Sequence, residues 1–154
     1  MKAYILKLTF EDITPLIWRR VILPADATFH RLHQTIQSVT NFQSTLSPYH
    51  SFAVGIDDYF ITDNEMLRQE YKGKKYADKT IKAPASIKID SYLEKHGEFL
   101  YNYDFGDDWW IQVELEEIVE DYHFGFPTLL DGDGTAPPED VGGPSGYESF
   151  FEIY

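Results

Sequence analysis

Hydrophobic and polar residues alternate with a period of two in several short stretches, which is typical of β-strands with one buried face. The stretch from Tyr4 to Phe10 predicts a first strand, and Leu16 to Leu23 predicts a second. Arg19 and Arg20 are consecutive, so their side chains point to opposite faces of the second strand. At least one of them is therefore expected at an edge or against a carboxylate from the acidic C-terminal half.

Residues 28 to 40 change to the period of an amphipathic helix. Thr28 is a residue type that caps helix N-termini, and the pattern extends to about Thr40. His33 borders the apolar stripe, and both a packing role and a functional role stay open for it. The stripe, which is expected to face the sheet, consists of Phe29, Leu32, Ile36 and Val39.

The strand pattern returns after a loop predicted from Phe42 to Pro48. A two-residue turn at Asp57 and Asp58 joins two short strands. His50 lies at the end of the first strand, either as a packing residue or as part of a site. The apolar face of this strand consists of His50, Phe52, Val54 and Ile56. The turn places Ile56 opposite Tyr59 and Val54 opposite Ile61.

Residues 62 to 88 lose clear periodicity and carry seven lysines and arginines against four acids. This composition predicts a mobile basic excursion rather than a second domain. Its lysines lack a supporting arginine and aromatic pattern, so a solvated surface is favoured over nucleic-acid contact. Further along, Ser91 and Glu94 have the spacing of a capping box, and Gly97 is expected to end the short helix.

The strongest strand pattern runs from Phe99 to Leu115 and predicts a hairpin. Opposed residues of an antiparallel pair share a face, so matching the two apolar sets places Phe105 opposite Trp109. The loop then comprises residues 106 to 108, with a β-bulge as the alternative. The rest of the register follows, with Tyr103 opposite Ile111 and Tyr101 opposite Val113.

Residues 124 to 147 contain six of the ten glycines and four of the eight prolines. This composition argues against a helix or a central strand, yet the stretch is denser in aromatic and acidic residues than a linker. We expect an ordered loop wrapped on the sheet and a short helix from Tyr147 to Phe151. Together the elements predict an α+β fold in a single domain over residues 1 to 154: a mainly antiparallel sheet, one principal helix packed on it, and the long loop.

Length, charge and cysteine content narrow the class of protein. A chain of 154 residues without cysteine fits one domain, has no disulfide or thiolate metal site, and is expected in the cytoplasm. Its N-terminus predicts no secretory signal, and no apolar run reaches the roughly 18 residues of a membrane span. The net charge is −13, and the residues after Lys95 include 15 acids without a lysine or arginine. This field repels nucleic-acid phosphates and favours cations or basic partners.

Three motifs of the sequence resemble those of the plasmid pRiA ORF-three-like family. They are PLIWRR with a following LH near the start, YDFGDDW at residues 103–109 and PPEDVGGPSGY at residues 137–147. The resemblance spans about Tyr4 to Phe151. The family includes passenger proteins of insertion elements with a resolvase-like label, so the resemblance implies a link to mobile elements but no established activity.

The sequence also departs from the pattern that this resemblance implies. The family tends to place a histidine where Ile111 stands, and cysteines at the positions of Ala136 and Val141. A metal or redox site built on those residues is therefore not expected in this chain. Recombination is not expected either, because the serines and tyrosine of the C-terminal segment lie in a region without lysine or arginine.

The densest candidate chemistry is a set of carboxylates at the hairpin and the PPED segment. Hard cations bind clustered oxygens, so one hypothesis is a divalent-cation site. Its candidate ligands are Asp104, Asp107, Asp108, Glu139, Asp140 and His50. The alternative is structural: Asp107 accepts backbone N–H groups in its turn. In that alternative the carboxylates of Glu139 and Asp140 pair with Arg19 or Arg20.

These features favour a non-catalytic binding or accessory module with an acidic and aromatic surface. A basic protein or peptide is the expected partner, without nucleic-acid or membrane binding. The alternative function is a divalent-metal-dependent hydrolase, in which a metal-bound water reacts and one carboxylate acts as base. The candidate surface consists of Asp104, Asp107, Asp108, Trp109, Glu139, Asp140 and Tyr147.

Overall fold

The alternating stretches of the sequence form a nine-stranded sheet in the computed structural model, which describes residues 1–42 and 50–153. The strands are β1 Ala3–Phe10, β2 Trp18–Pro24, β3 Phe52–Ile56, β4 Tyr59–Thr62, β5 Lys75–Tyr76, β6 Lys79–Lys82, β7 Glu98–Tyr103, β8 Trp109–Val119 and β9 Thr128–Asp133. The α-helices in these residues are α1 Phe29–Val39, α2 Glu65–Glu70, α3 Asp90–His96 and α4 Gly143–Ile153, with a 3-10 turn at Pro84–Ser86.

The strand order across the sheet is β5-β6-β4-β3-β7-β8-β1-β2-β9. Within the described residues, β4 and β6 pair in parallel and the other neighbouring strands pair antiparallel. The prediction of an α+β fold with a mainly antiparallel sheet is therefore confirmed.

The main core covers one face of this sheet. Tyr4, Leu6 and Leu8 of β1 are buried there beside the rings and aliphatic side chains of β7 and β8. Helix α1 packs on the same face through its predicted apolar stripe. Its N-cap is Thr28, whose hydroxyl accepts a hydrogen bond from the N–H of Arg31 at 3.2 Å. The period-3.6 pattern thus identified both the start of the helix and its buried side.

The β7–β8 hairpin differs from its predicted register by two residues. Tyr103 lies opposite Trp109, Tyr101 opposite Ile111 and Phe99 opposite Val113. A shift of two leaves the same set of side chains on the core face, so alternation cannot distinguish the two registers. Phe105 is the residue that changes place, since it lies in a five-residue tip and is 40% exposed.

The predicted strand pair around Asp57 and Asp58 is confirmed in detail. Ile56 lies opposite Tyr59, and Val54 lies opposite Ile61. The loop predicted from Phe42 to Pro48 lies, apart from Phe42, outside the described residues.

The prediction of a mobile basic excursion over residues 62 to 88 is wrong. Asn64 caps α2 by accepting a hydrogen bond from the N–H of Leu67 at 2.9 Å. Strand β6 then extends the sheet beside β4, and β5 forms its edge. Ala77 and Asp78 both have positive φ, as the tight turn between β5 and β6 requires. These strands of two and four residues are too short for alternation to reveal them.

The other two predicted helix starts also need correction. Ser91 lies inside α3 rather than at its cap, and Glu94 instead accepts hydrogen bonds from Lys2 and Tyr4. Gly97 does end this helix, with a φ of 77°. Helix α4 begins at Gly143, four residues before the predicted start, so the glycine-rich stretch does enter a helix. The same stretch also contributes β9, an edge strand.

The two consecutive arginines of β2 have different partners. Arg20 forms an ion pair with Glu116 at 2.6 Å, which confirms a carboxylate from the acidic half as a partner. Arg19 instead donates to the backbone carbonyls of Val39 and Gly134 at 3.0 Å each. Arg19 therefore ties the end of α1 to the segment that follows β9.

In the part of the chain that the structure describes, every helix is too short or too polar to cross a bilayer.

His33 generates a testable pH dependence of stability. It is 3% exposed, its ring stacks on Phe52 with centroids 4.0 Å apart, and Nδ1 lies 2.7 Å from the Tyr101 hydroxyl. Burial, with a smaller contribution from His30, lowers the pKa of His33 to about 3. The unfolded chain, with a histidine pKa near ~6.5, therefore binds a proton between these values that the folded chain does not.

We expect the free energy of unfolding to fall as the pH decreases from 7 to 5, and His33 to account for about 2 kcal/mol of that fall. Urea denaturation at both pH values checks this in the wild type and in His33→Gln. The variant should lose correspondingly less stability. His30→Gln, an exposed histidine on the same helix, serves as the control and should keep the wild-type dependence. Equal pH dependence in the wild type and His33→Gln would contradict the prediction.

Candidate functional site

The candidate site begins at Asp104, the residue directly after β7. Its N–H donates to the carbonyl of Ser51 at 2.8 Å, and its φ is 60°. Its Oδ1 accepts hydrogen bonds from the N–H groups of Gly106 and Asp107, both at 3.2 Å. The side chain is thus held inward by its own turn, and the residue is 4% exposed.

The second carboxylate oxygen of Asp104 differs from the first in its hydrogen bonding. Oδ2 is buried and has no hydrogen-bond partner among the described residues. Burial of an unpaired carboxylate oxygen opposes folding because the oxygen loses its water without gaining a donor. An atom of this kind indicates a place where a positive ligand would be stabilised.

The glycine-proline segment folds back against the hairpin tip. The Tyr147 hydroxyl donates to the carbonyl of Thr135 at 2.6 Å, and the Asn41 side chain donates to that of Ala136 at 2.7 Å. The N–H of Gly142 donates to Asp107 Oδ2 at 3.1 Å. These contacts confirm that the loop is ordered and bring the PPED carboxylates to the tip.

Five side chains meet at this junction and are called the acidic cluster: His50, Asp104, Asp107, Glu139 and Asp140. His50 Nδ1 lies 3.4 Å from Asp104 Oδ1. On the other side of the ring, Nε2 lies 2.7 Å from Asp140 Oδ1 and 3.9 Å from Glu139 Oε2. The contact with Asp140 has the distance of an ion pair but not the alignment of a hydrogen bond.

The acidic cluster contains two sets of three side chains with metal-ligand spacing, and Asp104 belongs to both. One set adds His50 and Glu139, and the other adds Asp107 and Asp140. Within each set, one ligand atom per residue lies within 4.8 Å of the others. Ligands on opposite sides of a small divalent ion are about 4.2 Å apart, so the spacing suits such an ion after small side-chain shifts.

Tyr103 orients one of these carboxylates. Its hydroxyl donates to Glu139 Oε1 at 2.8 Å. Burial, together with this hydrogen bond, raises the pKa of Tyr103 well above its usual range. The phenol therefore stays protonated at neutral pH and remains a donor to Glu139.

Three predicted residues of the binding surface lie elsewhere. Asp108 faces Asn102, whose amide donates to its Oδ1 at 3.0 Å, so Asp108 is outside the acidic cluster. Trp109 and Tyr147 are 0% and 1% exposed, and their rings contact each other with centroids 6.3 Å apart. They support the site from the core instead of forming a surface. The exposed aromatic ring at the tip is that of Phe105.

The predicted structural roles of the carboxylates are also corrected. Asp104, and not Asp107, accepts the backbone N–H groups of the turn. Glu139 and Asp140 lie against His50 rather than pairing with either arginine of β2. The reason is that Arg19 is committed to backbone carbonyls and the guanidinium of Arg20 to Glu116.

Two residues of the site were not identified from sequence. The alternation predicts that Tyr103 lies in the core, which is correct for its ring but not for its hydroxyl. Gly143 is the second, since a Cβ there would collide with the carbonyl oxygen of Asp107. The consecutive glycines at 142 and 143 were the available signal of such a close approach.

Comparisons with known proteins extend these findings. The family model described as plasmid pRiA4b ORF-3-like protein matches residues 2–154. The uncharacterized protein y4hQ of Sinorhizobium fredii (strain NBRC 101917 / NGR234) is 32% identical over 149 residues, which is 96% of this chain and 70% of that protein. The crystal structure of the protein of unknown function MM3350 from Methanosarcina mazei Go1 has a TM-score of 0.78 and 33% identity, over 99% of this chain and 81% of that chain.

Gly143 allows a test of how the loop is held at the tip. Alanine at a left-handed position costs about 1–2 kcal/mol of stability. Gly143 and Gly125 both have left-handed φ, at 70° and 74°, but a Cβ at Gly125 meets no atom within 4 Å. Urea denaturation should therefore show a greater loss for Gly143→Ala than for Gly125→Ala, by at least ~1 kcal/mol. Equal losses would show that the close approach to Asp107 is unimportant.

Proposed function

This chain belongs to the plasmid pRiA4b ORF-3-like family, and from that premise we propose that it is a non-catalytic binding module whose acidic cluster holds a divalent cation. Neither relative's name states an activity, so the geometry of the acidic cluster carries the proposal.

The supporting observation is the carboxylate of Asp104. It is buried, and its Oδ2 lacks a hydrogen-bond partner among the described residues. Three further carboxylates and an imidazole surround it, and the His50 ring lies within 4 Å of the carboxylates of Asp104, Glu139 and Asp140. Four negative groups in one place repel each other, and a divalent cation would relieve both this repulsion and the unpaired oxygen.

The mixed ligand set also bears on the choice of cation. Carboxylate oxygens suit Mg²⁺, Ca²⁺ and Mn²⁺, whereas an imidazole nitrogen suits Zn²⁺ and other transition metals. The His50 ring lies between carboxylates, with Nδ1 beside Asp104 and Nε2 beside Glu139 and Asp140. Because an imidazole nitrogen would join the carboxylates as a ligand, we expect Mn²⁺ or Zn²⁺ to bind more tightly than Ca²⁺ or Mg²⁺.

A basic protein or peptide is the partner class that we assign to the rim of the acidic cluster. Asp140 is exposed at this rim, and Phe105 provides an exposed ring at the hairpin tip. The charge asymmetry of the chain, with 15 acids and no base after Lys95, supports a cationic partner. Because Trp109 and Tyr147 are buried, charge contributes more to this surface than aromatic contact does.

Calorimetric titration with Mn²⁺, Zn²⁺, Ca²⁺ and Mg²⁺ tests the proposed cation site. The wild type should bind Mn²⁺ or Zn²⁺ saturably at one site. Asp104→Asn and Glu139→Gln should weaken binding at least ~10-fold, because each removes a charged ligand. Asp108→Asn is the matched control, since it removes an exposed carboxylate of the same hairpin tip that lies outside the acidic cluster.

An equal loss of affinity in Asp108→Asn would indicate diffuse attraction to an acidic surface and contradict a specific site. Absence of saturable metal binding would also contradict it. If a lysine-rich peptide then bound in a manner sensitive to Asp104→Asn, the acidic cluster would serve the basic partner directly.

A metal-dependent hydrolase is the second candidate, and the exposure of Asp140 favours it. The side chain of Asp140 is 47% exposed while that of Asp104 is 6% exposed, so the acidic cluster opens to solvent on one side. A bound cation there would have room for a water molecule, and its charge would lower the pKa of that water. A carboxylate of the acidic cluster could then accept the proton.

Steady-state assays of the Mn²⁺- and Zn²⁺-loaded protein with chromogenic esters and phosphoesters test this candidate. In this candidate the cation is held by His50, Asp104 and Glu139, and Asp140 acts as the base. Asp140→Asn should then reduce kcat at least ~100-fold while metal binding persists, and Asp108→Asn should leave kcat unchanged. Turnover that Asp104→Asn does not reduce would point to a contaminant. Metal binding without turnover would support the non-catalytic module.

A further inference from the structure

A concave site lies at the β5 end of the sheet and shares no residue with the acidic cluster. Helix α2, its following turn and strands β5 and β6 line a cavity of about 620 Å³. Pockets for small ligands commonly measure about 300–1,000 Å³. The cavity is therefore large enough for a ligand of nucleotide size.

The lining of this cavity is strongly basic. The cations among its residues are Arg68, Lys72, Lys74, Lys75 and Lys82, and Glu65 is the acid. Arg68 pairs with Glu65 at 3.0 Å, and the Lys82 ammonium lies 5.6 Å from the centroid of the Tyr59 ring. Within the described residues, the other three lysines form no ion pair, so their charges are available to an anion.

Aromatic rings accompany these charges. Tyr71 lines the cavity and contacts the edge of Tyr76, with centroids 5.1 Å apart. Tyr76 in turn packs on Phe60 at 4.8 Å. The fold thus places Arg68 and Tyr71 beside the lysines, with Tyr76 packed against Tyr71. The order of residues along the sequence did not show this combination of cations and aromatic rings.

We propose that this cavity binds a small organic phosphate such as a nucleoside phosphate. Lysine and arginine side chains bind phosphate oxygens through charge-assisted hydrogen bonds, and an aromatic ring can stack on a base. Residues 65 to 82 carry six lysines and arginines against three acids, in a chain of net charge −13. The field of the whole chain repels a long polyanion, whereas a short one is retained by the local charge.

Calorimetric titration of the full chain with ATP, tripolyphosphate and inorganic phosphate, in EDTA and at low salt, tests this proposal. EDTA removes divalent ions, so the result does not depend on the cation site proposed above. ATP should bind saturably and more tightly than either inorganic anion. Lys75→Glu should weaken ATP binding at least ~10-fold, and Tyr71→Ala should reduce the preference for ATP over tripolyphosphate.

Lys88→Glu is the matched control, because Lys88 is an exposed lysine outside the cavity lining. The affinity of the Lys88→Glu variant for ATP should stay within about twofold of that of the wild type. A loss equal to that of Lys75→Glu would overturn the proposal in favour of diffuse attraction, as would absence of saturable ATP binding. Equal affinity for ATP and tripolyphosphate would overturn the role of the aromatic ring. Tighter binding of a 20-nucleotide single strand would overturn the restriction to small phosphates.

Discussion

The contact between the β7–β8 hairpin tip and the segment from 135 to 143 is the constraint on which the candidate site depends. The Asp107 carboxylate accepts a hydrogen bond from the N–H of Gly142. The backbone carbonyl of Asp107 occupies the space that a Cβ of residue 143 would need. Glu139 and Asp140 lie within this segment, so their distance from Asp104 is set by the same contact. A hairpin tip alone would present Asp104 and Asp107, which are two of the four carboxylates of the acidic cluster.

The core supports this contact from below. Trp109 packs against Tyr147 of α4, and Phe42 stacks on the ring of Tyr103 with centroids 4.3 Å apart. The hydroxyl of Tyr103 reaches Glu139 while its ring stays in the core. The hydrophobic packing of the Tyr103 ring therefore also fixes the position of its hydroxyl at the site. Burial restricts the rotamers of these rings, so the Tyr103 hydroxyl is held in a fixed position beside Glu139.

Alternation in the sequence predicted which side chains of β1, β7 and β8 face the core. Successive side chains of a strand point to opposite faces, so the apolar set marks the buried face. It could not predict the register of the hairpin, since a shift of two residues preserves every face. It also missed β5 and β6, whose two and four residues give no measurable period. Of the residues proposed for the candidate site, His50 and four acids converge, whereas Asp108, Trp109 and Tyr147 lie elsewhere. Trp109 and Tyr147 do not belong to the surface because their rings are buried in the core.

The distribution of charge follows from the strand order. Residues 52 to 82 build one end of the sheet, from β5 to β3, and β9 with its two aspartates forms the opposite edge. The excess of bases between residues 65 and 82 is therefore kept at one edge of the sheet, while the acids that follow Lys95 line the hairpin, β8 and β9. Screening by physiological salt limits each field to about 8 Å. The strand order therefore separates the basic end of the sheet from the acidic strands, because β4 and β3 lie between β6 and the β7–β8 hairpin.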